Sequence, residues 1–408
     1  MRFAGNPGGI GEGEMAELLI RNIRPLGGVP VDLLIRNGAI AKIGPDLIAE
    51  GIPVEAGRGL IAIPGLVEAH THLDKTFMGM GWYRNEVGAD LRAMIDNERM
   101  ARREHHHDPA RQSKRHAMAL VGAGVTHIRS HVDIDTENGL VAMEALIQTR
   151  EELRDIVTIQ LVAFPQSGVM LRPGTVELLD QAMAMGADFL GGLDPCGIDR
   201  DPKGQLDAIF ALAGKYGKGI DIHLHERGEL GAFTTELILE RSRALGMKGK
   251  VAISHAFCLG MPDWPRTEAL MAELAEEDIA ILTTGAPSHE VPLVKRVLGA
   301  GLRMGAGSDG VLDTWNPWNR PDMLDRARIV AQKNNLRSDA DLELVLELCT
   351  TGGAAAIGVD HPGLVIGAPA DLALVPGETL AAAVAQGGPV ALTLKSGRVT
   401  GRDGLSVC

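Results

Sequence analysis

The middle of the chain alternates short apolar runs with amphipathic stretches. Stretches such as 175–185 and 235–245 place apolar residues three and four positions apart, which predicts helices. The apolar runs predict buried strands near 61–66, 125–133, 157–164, 188–194, 219–225, 250–255, 278–284 and 303–309. Because strands that alternate with helices in this number favour a closed barrel over an open sheet, the pattern predicts an α/β protein with a (β/α)₈ TIM-type barrel over residues 64–357.

Both ends of the chain have a different pattern, with short strands separated by turns. The predicted strands lie at 18–22, 32–36, 39–44, 370–375 and 391–399. The pair Asn37-Gly38 between two of them predicts a hairpin. We therefore expect residues 15–63 and 358–408 to form one small β-sandwich domain, into which the barrel is inserted. Residues 1–14 are expected to be a flexible leader, which leaves Met1 and Met15 as alternative starts.

Composition narrows the class of protein. The formal net charge of −13 argues against a nucleic-acid partner, because phosphate binding needs basic surface. The 4 cysteines are far apart and include no Cys-x-x-Cys pair, which argues against a thiolate zinc site or a disulfide framework. No apolar run suggests a membrane span or a secretory signal. We expect a cytoplasmic protein with a small-molecule substrate, no membrane partner and a homo-oligomeric state.

Polar side chains of the type that binds metals follow the predicted strands. Catalytic groups of such barrels come from the carboxyl ends of several strands. His70 and His72 lie two residues apart and share a face, so that both can bind one ion. The sequence predicts one divalent ion, zinc or iron, bound by His70, His72, His223 and Asp309. The alternatives are hydrogen-bonded core histidines, His225 as the ligand in place of His223, and a turn role for Asp309.

Other residues near the strand ends have candidate roles in catalysis or substrate binding. Glu226 could carry a proton between water and substrate, and His255 could orient or deprotonate a water activated by the metal. Asp309 could relay the proton of that water. Gln166 offers an amide to the edge of a heterocycle, and the indole of Trp315, or of nearby Trp318, could stack on a flat ring. A surface, core or packing role is the alternative for each.

Two further groups of polar residues have either a structural role or a role in the site. His131 and Asp133 follow the second predicted strand, where they would either support the site or have a purely structural role. The run of histidines at 105–107 is interpreted as a solvated helix end. No glycine-rich phosphate loop accompanies a strand and a helix.

The motifs at these strand ends resemble those of the amidohydrolase superfamily, and most closely its branch of cytosine deaminases and N-isopropylammelide hydrolases. The resemblance covers residues 16–402 and is carried by His70-Thr71-His72-Leu73-Asp74-Lys75, Arg129–Asp133, Val162–Gly168, Asp221–Glu226, Ser254-His255 and Ser308–Trp315. It implies the same metal ligands, with Glu226 as the proton-shuttling acid, His255 acting on the hydrolytic water and Gln166 holding the ring. It also implies a terminal β domain.

The chain departs from that branch at two positions. Gly310 stands where cytosine deaminases carry a second aspartate after the ligand aspartate. A carboxylate near the substrate is therefore expected to be lost and room gained for a bulkier ring. Glu226 stands where the N-isopropylammelide enzymes carry aspartate.

We therefore expect a metal-dependent hydrolytic deaminase that releases ammonia from cytosine, a substituted cytosine or isocytosine. One alternative is an enzyme that removes the amine from an N-alkylamino triazine or opens a cyclic amide with the same residues. An alternative of another class is a non-catalytic assembly protein on this fold.

Overall fold

The computed structural model describes residues 17–48, 50–88 and 90–408, so the expected leader and Met15 lie outside the described residues. The strands are β1 (Leu18–Pro25), β2 (Val31–Arg36), β3 (Ala39–Gly44), β4 (Val54–Ala56), β5 (Ile61–Pro64), β6 (Leu66–Thr71), β7 (Val125–Asp133), β8 (Thr158–Phe164), β9 (Phe189–Leu193), β10 (Gly219–His223), β11 (Val251–Ser254), β12 (Ala280–Thr283), β13 (Met304–Ala306), β14 (Leu372–Val375), β15 (Leu392–Lys395), β16 (Arg398–Arg402) and β17 (Leu405–Ser406). The α-helices are α1 (Leu91–Glu104), α2 (Pro109–Gly122), α3 (Val141–Glu152), α4 (Thr175–Met185), α5 (Pro202–Tyr216), α6 (Gly228–Leu245), α7 (Trp264–Glu276), α8 (Val294–Gly299), α9 (Met323–Lys333), α10 (Asp339–Glu347), α11 (Thr351–Ala356) and α12 (Leu380–Gln386).

The middle of the chain forms the predicted barrel. Strands β6 to β13 make an 8-stranded parallel sheet in which each strand pairs with the next one in the sequence. The first strand meets the segment that follows the last one, where the Asp309 N–H donates to the His70 carbonyl oxygen at 2.9 Å. The His72 N–H donates to the Asp309 carbonyl oxygen at 3.4 Å. The seam of the barrel therefore runs through three of the predicted metal ligands.

The first predicted barrel strand is in fact two strands. Residues 61–64 form β5 in the terminal sheet, and β6 begins the barrel at Leu66. Gly65 lies between them, and its N–H donates to the Asp371 carbonyl oxygen at 2.9 Å. A β-carbon at position 65 would overlap the Thr126 side chain. A glycine is therefore needed where the chain passes from one sheet to the other.

The two ends of the chain pair as predicted. The strand order is β17-β16-β15-β14-β5-β1-β2-β3, and β4 pairs with β1. The segment predicted as a single strand at 391–399 is the hairpin β15–β16, with left-handed backbone at Ser396 and Gly397. Ile20 and Leu33 from one half pack in the same buried cluster as Leu372 and Leu394 from the other. The exact domain limits, at 63/64 and 357/358, stay a prediction.

Helices cover the outside of the barrel. Helix α4 has the predicted bounds, and α6 begins earlier than predicted, at Gly228. Apolar faces of these helices pack on the strands in one large buried cluster that includes Leu179, Leu190 and Ile238. Within the described residues, no helix is both long and apolar enough to cross a membrane. The packed barrel holds the strand ends, and therefore the candidate site, in place.

Candidate active site

Histidines from several strands meet at the carboxyl end of the barrel. The Nε2 atoms of His72 and His223 lie 3.3 Å apart. The Asp309 Oδ1 atom lies 3.2 Å from His72 Nε2 and 3.6 Å from His70 Nε2. The imidazole rings are almost completely buried. Each of the four predicted metal ligands thus lies within contact distance of at least one of the others.

His255 lies as close to this group as a metal ligand would, although it was predicted to act on water. Ligand atoms of His70, His223, His255 and Asp309 all lie within 4.8 Å of one another. His72 does not belong to that set of four, although it contacts both Asp309 and His223. The assignment of His72 as a ligand and of His255 as the residue that acts on water stays a prediction.

The donor atoms of this cluster fit a divalent metal ion. Among the described residues, His70 Nε2, His72 Nδ1, His223 Nδ1 and both ring nitrogens of His255 are buried without a hydrogen-bond partner. Buried polar atoms are rarely left in that state. Burial lowers the pKa of His72, His223 and His255, so that the rings are neutral and offer lone pairs.

Asp309 supplies the charge of the cluster. Burial alone would raise the pKa of its carboxyl group, but the neighbouring imidazole rings of His70 and His72 outweigh burial and hold that pKa well below its usual range. The site therefore combines neutral imidazoles with one carboxylate, a donor set that suits zinc or ferrous iron.

A buried chain of hydrogen bonds orients the His70 ring. His70 Nδ1 lies 2.8 Å from Ser254 Oγ, which donates to Asp221 Oδ1 at 2.7 Å. Arg129 donates to the other oxygen of Asp221 at 3.0 Å. Such contacts fix which nitrogen of a ligand histidine faces the metal. The Nε2 atom of His70 therefore faces the cluster.

His225 has a different environment from His223. Strand β10 ends at His223, so the alternation of side chains along a strand does not extend to His225. Its Nδ1 atom lies 2.9 Å from Asp194 Oδ2. Burial lowers the pKa of His225, but the neighbouring Asp194 carboxylate outweighs burial and raises that pKa. That contact leaves Nε2 for an ion, as in many metal-binding histidines, so the alternative that His225 replaces His223 as the ligand stays open.

Glu226 is buried and firmly held. Its Oε1 atom accepts hydrogen bonds from the backbone N–H groups of Cys196 and Gly197, both at 2.8 Å. Its Oε2 atom accepts a hydrogen bond from the Thr234 hydroxyl. Burial raises the pKa of this carboxyl group despite those hydrogen bonds. Glu226 lines a large cavity together with His225 and His255, so it can hold a proton near the cluster.

A small inner cavity of about 30 Å³ adjoins the cluster. Its wall includes Lys75, Gln166 and Trp315 as well as His72 and His223. The amide of Gln166 donates from Nε2 to Glu98 Oε2 at 3.1 Å, and Lys75 donates to Gln166 Oε1. Trp315 donates from its indole N–H to the same oxygen of Glu98. Gln166 and Trp315, both predicted to contact substrate, are therefore tied to one buried carboxylate.

Lys75 and Glu98 form a buried ion pair that the sequence argument did not assign. Their charged atoms lie 3.4 Å apart, and both side chains are almost inaccessible. Burial opposes ionisation of both groups. Lys75 and Arg102 nevertheless keep the pKa of Glu98 low, and Glu98 with the nearby aspartates keeps the pKa of Lys75 high. Lys75 lies three residues after the His-Thr-His motif, which is a usable signal. Glu98 lies within α1, and nothing in its sequence context indicates the site.

An outer cavity of about 1200 Å³ lies above the inner one. The two cavities share Leu91, His225, Asp309 and Trp315 in their walls. Trp318 lines the outer cavity and is 66% exposed. A ligand at the cluster thus has room for a substituent that points outward.

His131 lies beside the histidine cluster, whereas Asp133 and the histidine run at 105–107 contact other side chains. His131 is buried, with its ring centroid 4.3 Å from that of His70 and 4.4 Å from that of His223. Asp133 Oδ2 lies 3.6 Å from an Arg102 nitrogen. The histidine run follows helix α1 as predicted, but only His106 is exposed. The other two contact Phe77.

Gly310 does not open the space for a bulkier substrate ring that the sequence led us to expect. A β-carbon at this position would overlap Oδ2 of Asp313 and would lie 2.6 Å from its Cγ atom. The carboxylate of Asp313 therefore occupies the place that a side chain at 310 would take.

Asp194, which pairs with His225, is another site residue that the sequence analysis did not include. It directly follows strand β9, so a search of strand ends could have found it.

The comparisons with known proteins agree with this architecture. Residues 57–400 match the model of the amidohydrolase family. The N-isopropylammelide isopropyl amidohydrolase of Pseudomonas sp. strain ADP is 29% identical over 394 residues, which cover 91% of this chain and 98% of that protein.

Two solved structures are similar over nearly the whole chain. The N-isopropylammelide isopropylaminohydrolase of Burkholderia multivorans is 49% identical, with a TM-score of 0.93 and coverage of 96% of this chain and 100% of that one. The 5-methylcytosine deaminase of Klebsiella pneumoniae is 26% identical, with a TM-score of 0.83 and coverage of 94% and 97%. This chain belongs to the amidohydrolase family, whose members are hydrolases that use a divalent metal.

Proposed function

We propose that the protein hydrolyses the exocyclic C–N bond of an alkylamino-substituted N-heterocycle, with N-isopropylammelide as the leading substrate. The observation that carries the proposal is the inner cavity beside the donor cluster, which is lined in part by Lys75 and Gln166 and shares its wall with a much larger outer cavity. The ring would lie toward the inner cavity and the N-alkyl group would extend into the outer one. The similarity to the Burkholderia enzyme supports this order of candidates, which reverses the order expected from the sequence.

A single zinc or ferrous ion is proposed at the donor cluster. His70, His72, His223 and Asp309 would hold it, and the unpartnered imidazole nitrogens are the evidence that the residues fit. When bound, such an ion supplies Lewis acidity and lowers the pKa of water toward neutrality.

The side chains around the cluster would move the protons. His255 has a lowered pKa because it is buried, so it is neutral and can accept a proton from the attacking water together with Asp309. Glu226 has a raised pKa because it is buried, so it can carry a proton to the ring or to the leaving nitrogen. One C–O bond forms, the exocyclic C–N bond breaks, and the nitrogen leaves as isopropylamine. The ring keeps the oxygen, so N-isopropylammelide and water would give cyanuric acid and the amine.

Ammonia release from a cytosine-type ring is the second candidate. It is favoured by Glu226, which by resemblance matches the acid of the cytosine deaminases and not the aspartate of the N-isopropylammelide enzymes. The similarity to 5-methylcytosine deaminase adds support. The same proton transfers would apply, with an unsubstituted amine as the leaving group.

A product assay separates the two candidates. Metal-reconstituted protein would be incubated with N-isopropylammelide, ammelide, cytosine, 5-methylcytosine and isocytosine, and isopropylamine and ammonia would be measured separately. We expect isopropylamine release with kcat/KM above about 10⁴ M⁻¹s⁻¹. Ammonia from a pyrimidine alone would establish the second candidate. Neither product, with metal bound, would contradict both and favour cyclic-amide hydrolysis or a non-catalytic role.

A further inference from the structure

Glycine at position 310 is required by a neighbouring side chain and not by its own backbone. Left-handed backbone occurs at Asp309 and Leu312, with φ of 61° and 48°, and turns the chain back on itself. This turn brings the Asp313 carboxylate over position 310, where a β-carbon would lie 2.6 Å from Asp313 Cγ and 2.8 Å from Oδ1. The carboxylate expected to be lost at 310 is therefore supplied from a position three residues later.

The two oxygens of Asp313 have different surroundings. Oδ1 accepts hydrogen bonds from the backbone N–H groups of Trp315 at 2.9 Å and Asn316 at 2.7 Å. Oδ2 is buried and has no hydrogen-bond partner within the part of the chain that the structure describes. The residue is only 7% exposed and lines the inner cavity. A buried carboxylate oxygen without a donor is costly, and a ligand N–H would relieve that cost.

The same cavity holds donors that suit a carbonyl oxygen. Lys75 uses its ammonium group on Glu98 and Gln166. A lysine ammonium has three N–H donors, which leaves one of them for a ligand. The cavity thus combines an acceptor that needs an N–H with a donor that suits an adjoining oxygen. That pattern matches a ring lactam, in which N–H and C=O are neighbours.

We propose that Asp313 is a specificity residue of this site, which takes the place of a side chain at position 310 and accepts a hydrogen bond from a lactam N–H of the substrate ring. The inference rests on the proposed function only in assuming that the ligand is an oxo-substituted N-heterocycle. It predicts that rings with a lactam N–H are preferred over the same rings methylated on nitrogen.

Calorimetric binding of cyanuric acid to the metal-loaded protein tests the proposal without turnover. The measurement would be made near pH 8, because burial raises the pKa of the Asp313 carboxyl group to about 7 and its ionised form is the acceptor. Singly ionised cyanuric acid still carries N–H groups at that pH. Asp313→Asn keeps the oxygen that accepts from Trp315 and Asn316 but turns the free oxygen into an N–H donor. We expect affinity for cyanuric acid to fall about 10- to 100-fold. Trimethyl isocyanurate, which has no N–H, should bind wild type and variant with equal, weak affinity.

Controls separate this role from damage to the fold or to the metal site. Asp313→Asn should retain metal content and the unfolding midpoint of the wild type. Asp96→Asn removes a carboxylate that is exposed on α1 and should bind cyanuric acid normally. Equal binding of cyanuric acid by wild type and Asp313→Asn, or no binding by either, would overturn the proposal. Failure of the proposed function would appear separately, as absence of isopropylamine in the product assay.

Moving the carboxylate from position 313 to position 310 by mutation tests the link between these two positions. Gly310→Asp alone should abolish binding, because its side chain overlaps Asp313. Gly310→Asp combined with Asp313→Gly should recover at least part of the preference for cyanuric acid over its methylated form. If the double variant folds and binds metal but lacks that preference, a carboxylate at position 310 cannot replace the one at Asp313, and this part of the proposal is wrong.

Discussion

Two of the buried clusters of histidine and aspartate in the described part of the chain have similar dimensions and different chemistry. At the carboxyl end of the barrel, ligand atoms of His70, His223, His255 and Asp309 lie within 4.8 Å of one another. Where the barrel meets the terminal sheet, ligand atoms of His127, His361 and Asp371 satisfy the same distance. Distance alone would assign a metal to both clusters.

Hydrogen bonding separates them. Lys395 lies in the second cluster, 2.7 Å from Asp371 Oδ2 and 3.1 Å from His127 Nε2. The other ring nitrogen of His127 lies 3.0 Å from the Thr126 hydroxyl. Burial and the neighbouring ammonium lower the pKa of His127 to about 2. The second cluster thus already contains its cation, whereas the first has imidazole nitrogens without partners. The hydrogen-bond partners of the ring nitrogens, and not the distances between them, therefore distinguish the candidate metal site from the second cluster.

The largest effect is expected from removing a histidine of the first cluster. His70→Ala should lose most bound metal and about 10³-fold or more of the activity, since the ion activates the water. The matched variant His127→Ala should keep its metal and its activity. Metal content by mass spectrometry and amine release would be measured on both. Full metal occupancy in His70→Ala would remove His70 from the ligand set.

Glu226→Gln tests proton transfer while the predicted metal ligands stay unchanged. The amide keeps the size and one acceptor of the carboxyl group but cannot carry the proton, so activity should fall about 10²- to 10⁴-fold with unchanged metal content. Glu229→Gln, an exposed neighbour that pairs with Arg266, is the control and should retain activity. Normal turnover by Glu226→Gln would exclude Glu226 from the mechanism.

Lys395→Met should separate stability from activity in the second cluster. It leaves the Asp371 carboxylate buried without its cation, which should cost about 3–5 kcal/mol of unfolding free energy. Activity per folded molecule should not change, because the cluster lies away from the cavities. Adding Asp371→Asn should restore much of the stability, as measured by urea unfolding. An equally unstable double variant would show that packing by the lysine stem, and not its charge, matters.

The smallest effect concerns the ion pair beside the first cluster. Glu98→Gln should lower the unfolding free energy by about 1–3 kcal/mol at neutral pH, because Lys75 loses its partner. The folded protein holds the pKa of Glu98 below the ordinary value of 4.5. The stability from Glu98 is therefore present above that value and is lost as pH falls through the lowered pKa. Wild type and variant should converge in acid, and a gap that is independent of pH would contradict this assignment.

Much of the architecture followed from local pattern. The strand and helix alternation, the hairpin at Asn37-Gly38 and the pairing of the two ends depend on periodicity and turn residues, which neighbouring residues determine. The sequence also placed His70, His72, His223 and Asp309 at strand ends, and a parallel barrel brings those ends together whatever the details of packing.

Only the tertiary structure decided which polar groups satisfy one another. The pairing of Lys395 with His127 joins residues 268 positions apart, and that of Trp315 with Glu98 joins residues 217 apart. No local pattern encodes such contacts. The overlap of Asp313 with position 310 depends on left-handed backbone at Asp309 and Leu312, which non-glycine residues seldom adopt and sequence does not indicate. The sequence by itself determined the fold and where the donors gather. Three-dimensional packing decided which donors have partners and which are left for a metal or a substrate.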